Sequence, residues 1–288
     1  MSLSIGIVGL PNVGKSTLFN ALVKNARAEA HRAHRSTLLG STDSSVNDEN
    51  QFIDIISNAS AKVGNFPFTT IEPNVGVVAV PDGRLDVLAK IEQSAKVVPA
   101  AVEFVDIAGI ISGAHKGEGL GNKFLSHIRE VDAIALVVRA FSGDTIHVEG
   151  NIDPKRDLET ILTELALADL QTAQKRLAGL QSDAKKPGKD GEKAHMAATI
   201  LEKFIKVLDD GKPASSMQLN KDDAALLNAS VQLLTAKPML LILNVDEADL
   251  GRSVEELIKK HQLNGLLPDN TGAVVVSAKI EAELVSLA

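Results

Sequence analysis

The chain has 288 residues, 44% of them hydrophobic, no cysteine and a net charge of −7. That length holds an ample core in one domain or two. The missing cysteines exclude disulfides and thiolate metal sites, and no apolar run of about 18 residues offers a membrane span. With a negative balance and neither Trp nor Tyr, there is no global basic field and little to stack on nucleic acid. DNA is therefore not an expected partner, and any polyanion must meet a local patch.

Residues 3–9 read as a first strand that runs straight from the start of the chain, with no charged-then-apolar leader, so a cytoplasmic location is the expectation. The strand delivers Gly9-Leu10-Pro11-Asn12-Val13-Gly14-Lys15-Ser16-Thr17, and a helix from Gly14 to about Lys24 follows. This is G-x-x-x-x-G-K-S with a strand before it and a helix after it, the context that a phosphate-binding loop requires. Glycines let successive N–H groups converge on phosphates at a helix N-terminus. Lys15 would reach the β- and γ-phosphates, and the Ser16 hydroxyl would sit on Mg²⁺.

Residues 25–64 are rich in Ala, His, Arg, Ser and Asn, with an apolar patch at 52–56. His31 and His34 lack a carboxylate partner at helical spacing, so the segment reads as a solvated loop or mobile helix rather than a metal site. Thr70 follows in Phe66-Pro67-Phe68-Thr69-Thr70-Ile71-Glu72-Pro73-Asn74, ahead of an apolar strand at 75–80. A threonine there suits a switch that closes over the γ-phosphate and Mg²⁺.

Ala101–Asp106 is a strand ending in a carboxylate, where a Walker-B residue holds Mg²⁺, usually through water. The N–H of Gly109 could meet the γ-phosphate because glycine permits close backbone approach. Residues 113–122 are glycine-rich and lead into an amphipathic helix around 123–129, before a buried strand at 133–138 typical of a covered parallel sheet. From Asp157 the period changes. Leu162, Ala166, Leu170, Ala173, Leu177 and Leu180 step by 4, 4, 3, 4, 3, and Ala197, Leu201, Phe204 and Leu208 by 4, 3, 4. Two such seams joined by a polar turn at 183–193 make an antiparallel helical hairpin with Lys185, Lys186 and Lys189 at its tip. A third helical stretch spans 222–234. Strands return at 239–243 and 273–276.

The strand at 239–243 ends in Asn244-Val245-Asp246-Glu247, where guanine-binding members of this architecture carry Asn-Lys-x-Asp. The lysine that lies on the base is replaced by Val245, and the fourth-position carboxylate, Glu247, is one methylene longer. A well-placed bidentate base contact is worth about 1–3 kcal/mol of discrimination, so guanine preference should be weakened or lost. Ser277, Ala278 and Lys279 would form the backbone platform for the base edge. Ile110 occupies the place where Ras-type GTPases carry the glutamine that orients the attacking water, so hydrolysis should be slow. His115 is one candidate substitute; an idle loop histidine is the other reading.

These stretches together resemble the YchF/Obg-like ATPase family of translation-factor-class P-loop NTPases: 9–17, 65–76 (NFPFTTIEPNVG), 106–125 (DIAGIISGAHKGEGLGNKFL), 162–170 (LTELALADL) and 244–247. The resemblance implies an α/β fold: a P-loop NTPase G domain, its mostly parallel sheet covered by helices on both faces, with an inserted antiparallel helical-hairpin domain. The expected division is 1–145 and 236–288 for the G domain and 146–235 for the coiled-coil-like helical domain.

It also implies ATP used at least as well as GTP, slow hydrolysis, and association with ribosomes, the large subunit being the expected side. Lys15, Thr70, Gly109 and His115 become the expected catalytic set. Asn12, Val13, Gly14, Lys15, Ser16, Thr17, Asn244, Val245, Glu247, Ser277 and Ala278 become the expected nucleotide contacts. Mg²⁺ falls to Ser16, Thr70 and Asp106, and an activating K⁺ to Asn12. Two departures stand out. The family continues into a C-terminal TGS domain beyond the span of this sequence, and an insert of roughly 34 residues, 31–64, separates the first helix from the switch. The insert is either a tolerated surface loop or a change to the switch.

Overall fold

A computed structural model describes residues 2–38, 73–94, 96–107, 109, 120–142, 152–267 and 271–287, with 27–38 and 120–122 as backbone only. Six strands form one sheet in the order β2-β3-β1-β4-β5-β6: β1 (Leu3–Val8), β2 (Asn74–Ala79), β3 (Ala101–Asp106), β4 (Ala133–Ala140), β5 (Met239–Val245) and β6 (Gly272–Val276). All neighbours run parallel except β2, which pairs antiparallel with β3. The central strands read as near-continuous apolar runs because parallel sheets are buried on both sides; every residue of β4 after Ala133 is buried. β1 lies between β3 and β4, so the chain leaves it toward one side of the sheet and returns on the other. Ligands of open α/β sheets bind at such a switch point, beyond the carboxyl ends of the strands.

The helices are α1 (Lys15–Leu38), α2 (Gly83–Glu92), α3 (Leu120–Glu130), α4 (Pro154–Asp183), α5 (Lys189–Asp209), α6 (Lys221–Ser230), α7 (Val254–Lys260) and α8 (Ala278–Leu287). α1 packs along α8 and onto β1, β2 and β3. It runs well past Lys24, through a stretch rich in Ala and Arg, good helix formers, so the first residues of the expected insert continue this helix. The insert from residue 39 on lies outside the described residues. Among those residues no helix is long and apolar enough to cross a membrane, and no group of three or more His, Asp or Glu stands ready to hold a metal.

α4 begins with Asp153 as N-cap, its side chain accepting from the Arg156 N–H, and Pro154 in the first turn, where proline loses no intrahelical bond. It then serves two cores. Leu158, Ile161, Leu165 and Ala168 pack into the sheet's core, while Ala173 and Leu180 meet Ala197, Leu201, Phe204 and Leu208 of α5 in a second cluster. The seam residue Leu162 goes with the sheet, because one long helix turns different stripes to different neighbours.

The third helical stretch stops at Ser230, short of Leu234. A separate turn of 3₁₀-helix, Leu234–Ala236, follows. The reason is distant in sequence. The buried carboxylate of Asp169 on α4 accepts from the N–H groups of Leu234 at 2.7 Å and Thr235 at 2.8 Å and from the Thr235 hydroxyl at 2.7 Å. It caps the new turn from outside. Burial pushes this carboxyl above its ordinary value, against the pull of those three donors.

Candidate functional site

The loop after β1 folds over its own lysine. Asn12 has φ +63° and Gly14 φ +95°, left-handed conformations that turn the chain tightly enough to start α1 at Lys15. A Cβ at Gly14 would collide with Nδ2 of Asn244, so this glycine is required both by its φ and by the close approach of that side chain. Lys15 is 7% exposed, and its Nζ donates to the Leu10 carbonyl at 2.8 Å. Burial lowers its pKa to about 8, with Asp106 pulling the other way.

The register Ile7↔Asp106 sets the end of β3 beside the end of β1. The Ser16 hydroxyl therefore donates to Oδ2 of Asp106 at 3.1 Å. Burial raises the Asp106 carboxyl, with the Ser16 hydrogen bond, the Lys15 charge and a side-chain hydrogen bond from Asn74 opposing it. Asn74 stands opposite Asp106 in the β2–β3 register. A Cβ at Gly109 would lie 3.1 Å from Nζ of Lys15 and 3.2 Å from the Pro11 nitrogen. The backbone after β3 thus passes directly against the phosphate loop and its lysine.

On the other flank, Asn244 at the end of β5 is buried and ties two loops together. Its Nδ2 donates to the Val13 carbonyl at 2.9 Å, and its Oδ1 accepts from the Ala278 N–H at 2.9 Å. Ser277 and Ala278, where β6 meets α8, are buried at this junction. Glu247 is exposed. Val245, expected beside the base, is 1% exposed and belongs to the sheet's core; its β-branched side chain packs as the last core residue of β5. Thr17, in the first turn of α1, and Asn12 are exposed.

The structure brings together Val13, Gly14, Lys15, Ser16, Asp106, Gly109, Asn244, Ser277 and Ala278 from four separate segments. Thr70, Ile110 and His115 lie outside the described residues. Two contributors escaped the sequence reading. Asn74 closes the quoted switch motif, but its partner is set by strand pairing. Asp246, third in the base-side motif, has its Oδ2 engaged by the backbone N–H and hydroxyl of Ser142, and nothing local in sequence marks Ser142.

The chemistry of this constellation is that of phosphate capture. Backbone N–H groups at the start of α1 and a lysine ammonium offer positive charge, and a hydroxyl beside a carboxylate offers the hard oxygen donors that suit Mg²⁺. Asn244 ties that end to the junction of β6 and α8, where the sequence leads one to expect the base.

Comparison with known proteins agrees. A family model described as 50S ribosome-binding GTPase matches residues 4–56 and 50–176; the two matches meet inside the insert. The chain is 43% identical to the Ribosome-binding ATPase YchF of Bacillus subtilis (strain 168) and 45% identical to that of Haemophilus ducreyi. It is covered completely in both cases and spans 68% of each relative. A solved structure of the Schizosaccharomyces pombe YchF GTPase superposes with a TM-score of 0.69 at 33% identity, over 99% of this chain and 68% of that one. With its phosphate loop, strand-end carboxylate and helical hairpin in one connected fold, the chain belongs to the YchF family of P-loop NTPases.

Proposed function

We propose that this protein is a P-loop switch that binds ATP and hydrolyses it slowly to ADP and phosphate, tolerates GTP, and associates with ribosomes. The observation that carries the nucleotide reading is the Ser16–Asp106 hydrogen bond at 3.1 Å, which joins the phosphate loop to the strand-end carboxylate. The relatives' name, Ribosome-binding ATPase, supports the partner, with the large subunit as the expected side. A cytoplasmic location goes with that partner.

In this reading the N–H groups from Val13 to Thr17 cradle the phosphates. The Lys15 ammonium leaves the Leu10 carbonyl for the β- and γ-phosphate oxygens and stabilises the charge that spreads over them as water attacks in line. The hydroxyl of Ser16 and the carboxylate of Asp106, with Thr70, would hold Mg²⁺, which when bound neutralises charge between the β- and γ-phosphates. The Gly109 N–H faces the γ-phosphate, and Ile110 offers nothing to orient water, so turnover is slow unless His115 substitutes. Asn12 is the ligand assigned to an activating K⁺. Asn244, Val245, Glu247, Ser277 and Ala278 form the base side. The G domain comprises 1–145 and 236–288, and 146–235 the helical domain, joined through α4, which serves both cores.

Competitive titration of ATP against GTP tests the nucleotide. A GTP preference of about tenfold or more, roughly 1.4 kcal/mol, would replace this reading with a GTP-specific GTPase, the activity named for the matching family and the yeast structure. Single-turnover phosphate release, with and without K⁺ and ribosomes, tests the chemistry. Release under none of these conditions would leave a nucleotide-gated binding module.

A further inference from the structure

β4 and β5 are neighbours, with Arg139 opposite Asn244 and Ala140 opposite Val245. The residues just past each strand therefore lie side by side, although 104 positions separate them in sequence. Ser142 uses this to donate twice to one oxygen, Oδ2 of Asp246: its N–H at 2.8 Å and its hydroxyl at 2.7 Å. Hydrogen bonds to an ionised acceptor are the stronger kind.

Both halves of this tie are themselves held. The wholly buried Arg139 places its guanidinium 4.4 Å from the centre of the Phe141 ring, and its Nε donates to the Phe141 carbonyl at 3.3 Å. On the other side, the Asp246 carbonyl accepts from the Asp249 N–H at 3.0 Å. The Asp249 carboxylate receives Arg252 at 2.8 Å and Lys260 at 2.7 Å. Of the three acids in this turn, Asp246 and Asp249 are engaged in bracing it, and Glu247 is the one left exposed.

We propose that the Ser142–Asp246 tie is a positioning element for base recognition, fixing the turn from which Glu247 reads the base and thereby setting the balance between ATP and GTP. The proposal rests on the reading of Asn244–Glu247 as the base-side turn. Its physical basis is preorganisation. Glutamate has one more rotatable bond than the aspartate usual at this place, so the backbone beneath it must carry the positional accuracy, of order 0.5 Å, that a recognition site needs. A turn fixed before binding spares the nucleotide the ordering cost.

The test is a titration of wild type and of the variants Ser142→Ala, Ser142→Thr, Asp246→Asn and Asp246→Ala with ATP, GTP and inorganic tripolyphosphate. Asp246→Ala removes both contacts and is expected to weaken ATP binding about tenfold; Ser142→Ala removes one and is expected to weaken it about threefold. In both variants the ATP-to-GTP affinity ratio moves toward one, while tripolyphosphate affinity stays within about twofold. Ser142→Thr keeps the hydroxyl and Asp246→Asn keeps an acceptor oxygen, so both recover most of the wild-type ratio. Equal losses for ATP and tripolyphosphate would overturn the proposal, since they mean general loosening. So would a loss with Asp246→Ala beside wild-type behaviour for Ser142→Ala, since Asp246 would then touch the nucleotide itself. A different result, wild type holding tripolyphosphate as tightly as ATP, would defeat the base-side reading.

Discussion

The ammonium of Lys15 is hydrogen-bonded at 2.8 Å to the carbonyl of Leu10, five residues back on the loop that it serves. The loop is thus closed on its own cation, and burial holds that cation's pKa at about 8 against an ordinary 10.5. Between these values the unfolded chain binds more protons than the folded one, so this group makes stability rise with pH from about 8 to 10.5. Below pH 8 the full cost of burying the ammonium is present. Replacing Lys15 by Met is therefore expected to stabilise the nucleotide-free protein at pH 7, on the order of 1 kcal/mol after the lost hydrogen bond is counted. It should flatten the pH slope and abolish ATP binding. Urea denaturation at several pH values in EDTA measures this, and a variant less stable than wild type at pH 7 would refute it.

The two hydrogen bonds of Asn244 predict a coupled loss. Asn244→Ala leaves the Ala278 N–H and the Val13 carbonyl without their buried partner, at about 1–3 kcal/mol for an unmet buried group. Because the same side chain spaces the phosphate loop from the proposed base platform, ATP affinity should fall at least about tenfold. Asn244→Asp cannot donate to Val13 and should fare no better. Stability and ATP titrations on the same preparations decide the matter, and a variant that loses stability while binding ATP normally would remove Asn244 from the site.

Asp169 carries the corresponding prediction at the base of the helical hairpin. Its carboxylate satisfies three donors on Leu234 and Thr235, so Asp169→Ala should cost about 3 kcal/mol, roughly one for each bond. The change should be felt first where the cap is lost. Amide hydrogen exchange at Leu234 and Thr235 should accelerate well beyond that of β5, and equal acceleration throughout would mean that the cap does not hold this turn.

The phosphate loop was legible because its chemistry is written in contiguous residues: glycines, lysine and serine act from one turn, whatever lies around them. The strands were legible for a similar reason, since buried parallel strands are unbroken apolar runs. What stayed hidden depends on strand order. Asn74 reaches Asp106, and Ser142 reaches Asp246, only because β2 lies beside β3 and β4 beside β5, which no local pattern states.

The same holds for Asp169. Its motif was visible as a resemblance, but its capping of a turn 65 residues away was not. Among the helices, α2 has no buried residue and hence no periodic stripe to read. α7, by contrast, did carry a signal in Ser253 and Glu256, a capping pair whose Ser253 hydroxyl accepts from the Glu256 N–H at 3.2 Å. Val245 carries two signals at once: its place in the motif suggests the base, and its apolar side chain completes the core of the sheet.

The hairpin tip gives the prediction for the partner. Lys185, Lys186 and Lys189 are exposed between α4 and α5. The pair between Lys186 and Asp183, at 2.7 Å, is an exposed one that water and salt screen, so it competes weakly with a polyanion. If the tip meets ribosomal RNA, each lysine that neutralises a phosphate adds about 0.7–0.9 to the slope of log affinity against log salt. The triple charge reversal to Glu should therefore lower that slope by about 2–3 and weaken cosedimentation most at low salt, with the helical circular dichroism signal as the check on folding. Cosedimentation and salt slope equal to wild type in a folded variant would move the ribosome contact away from the hairpin tip and onto another face of the protein.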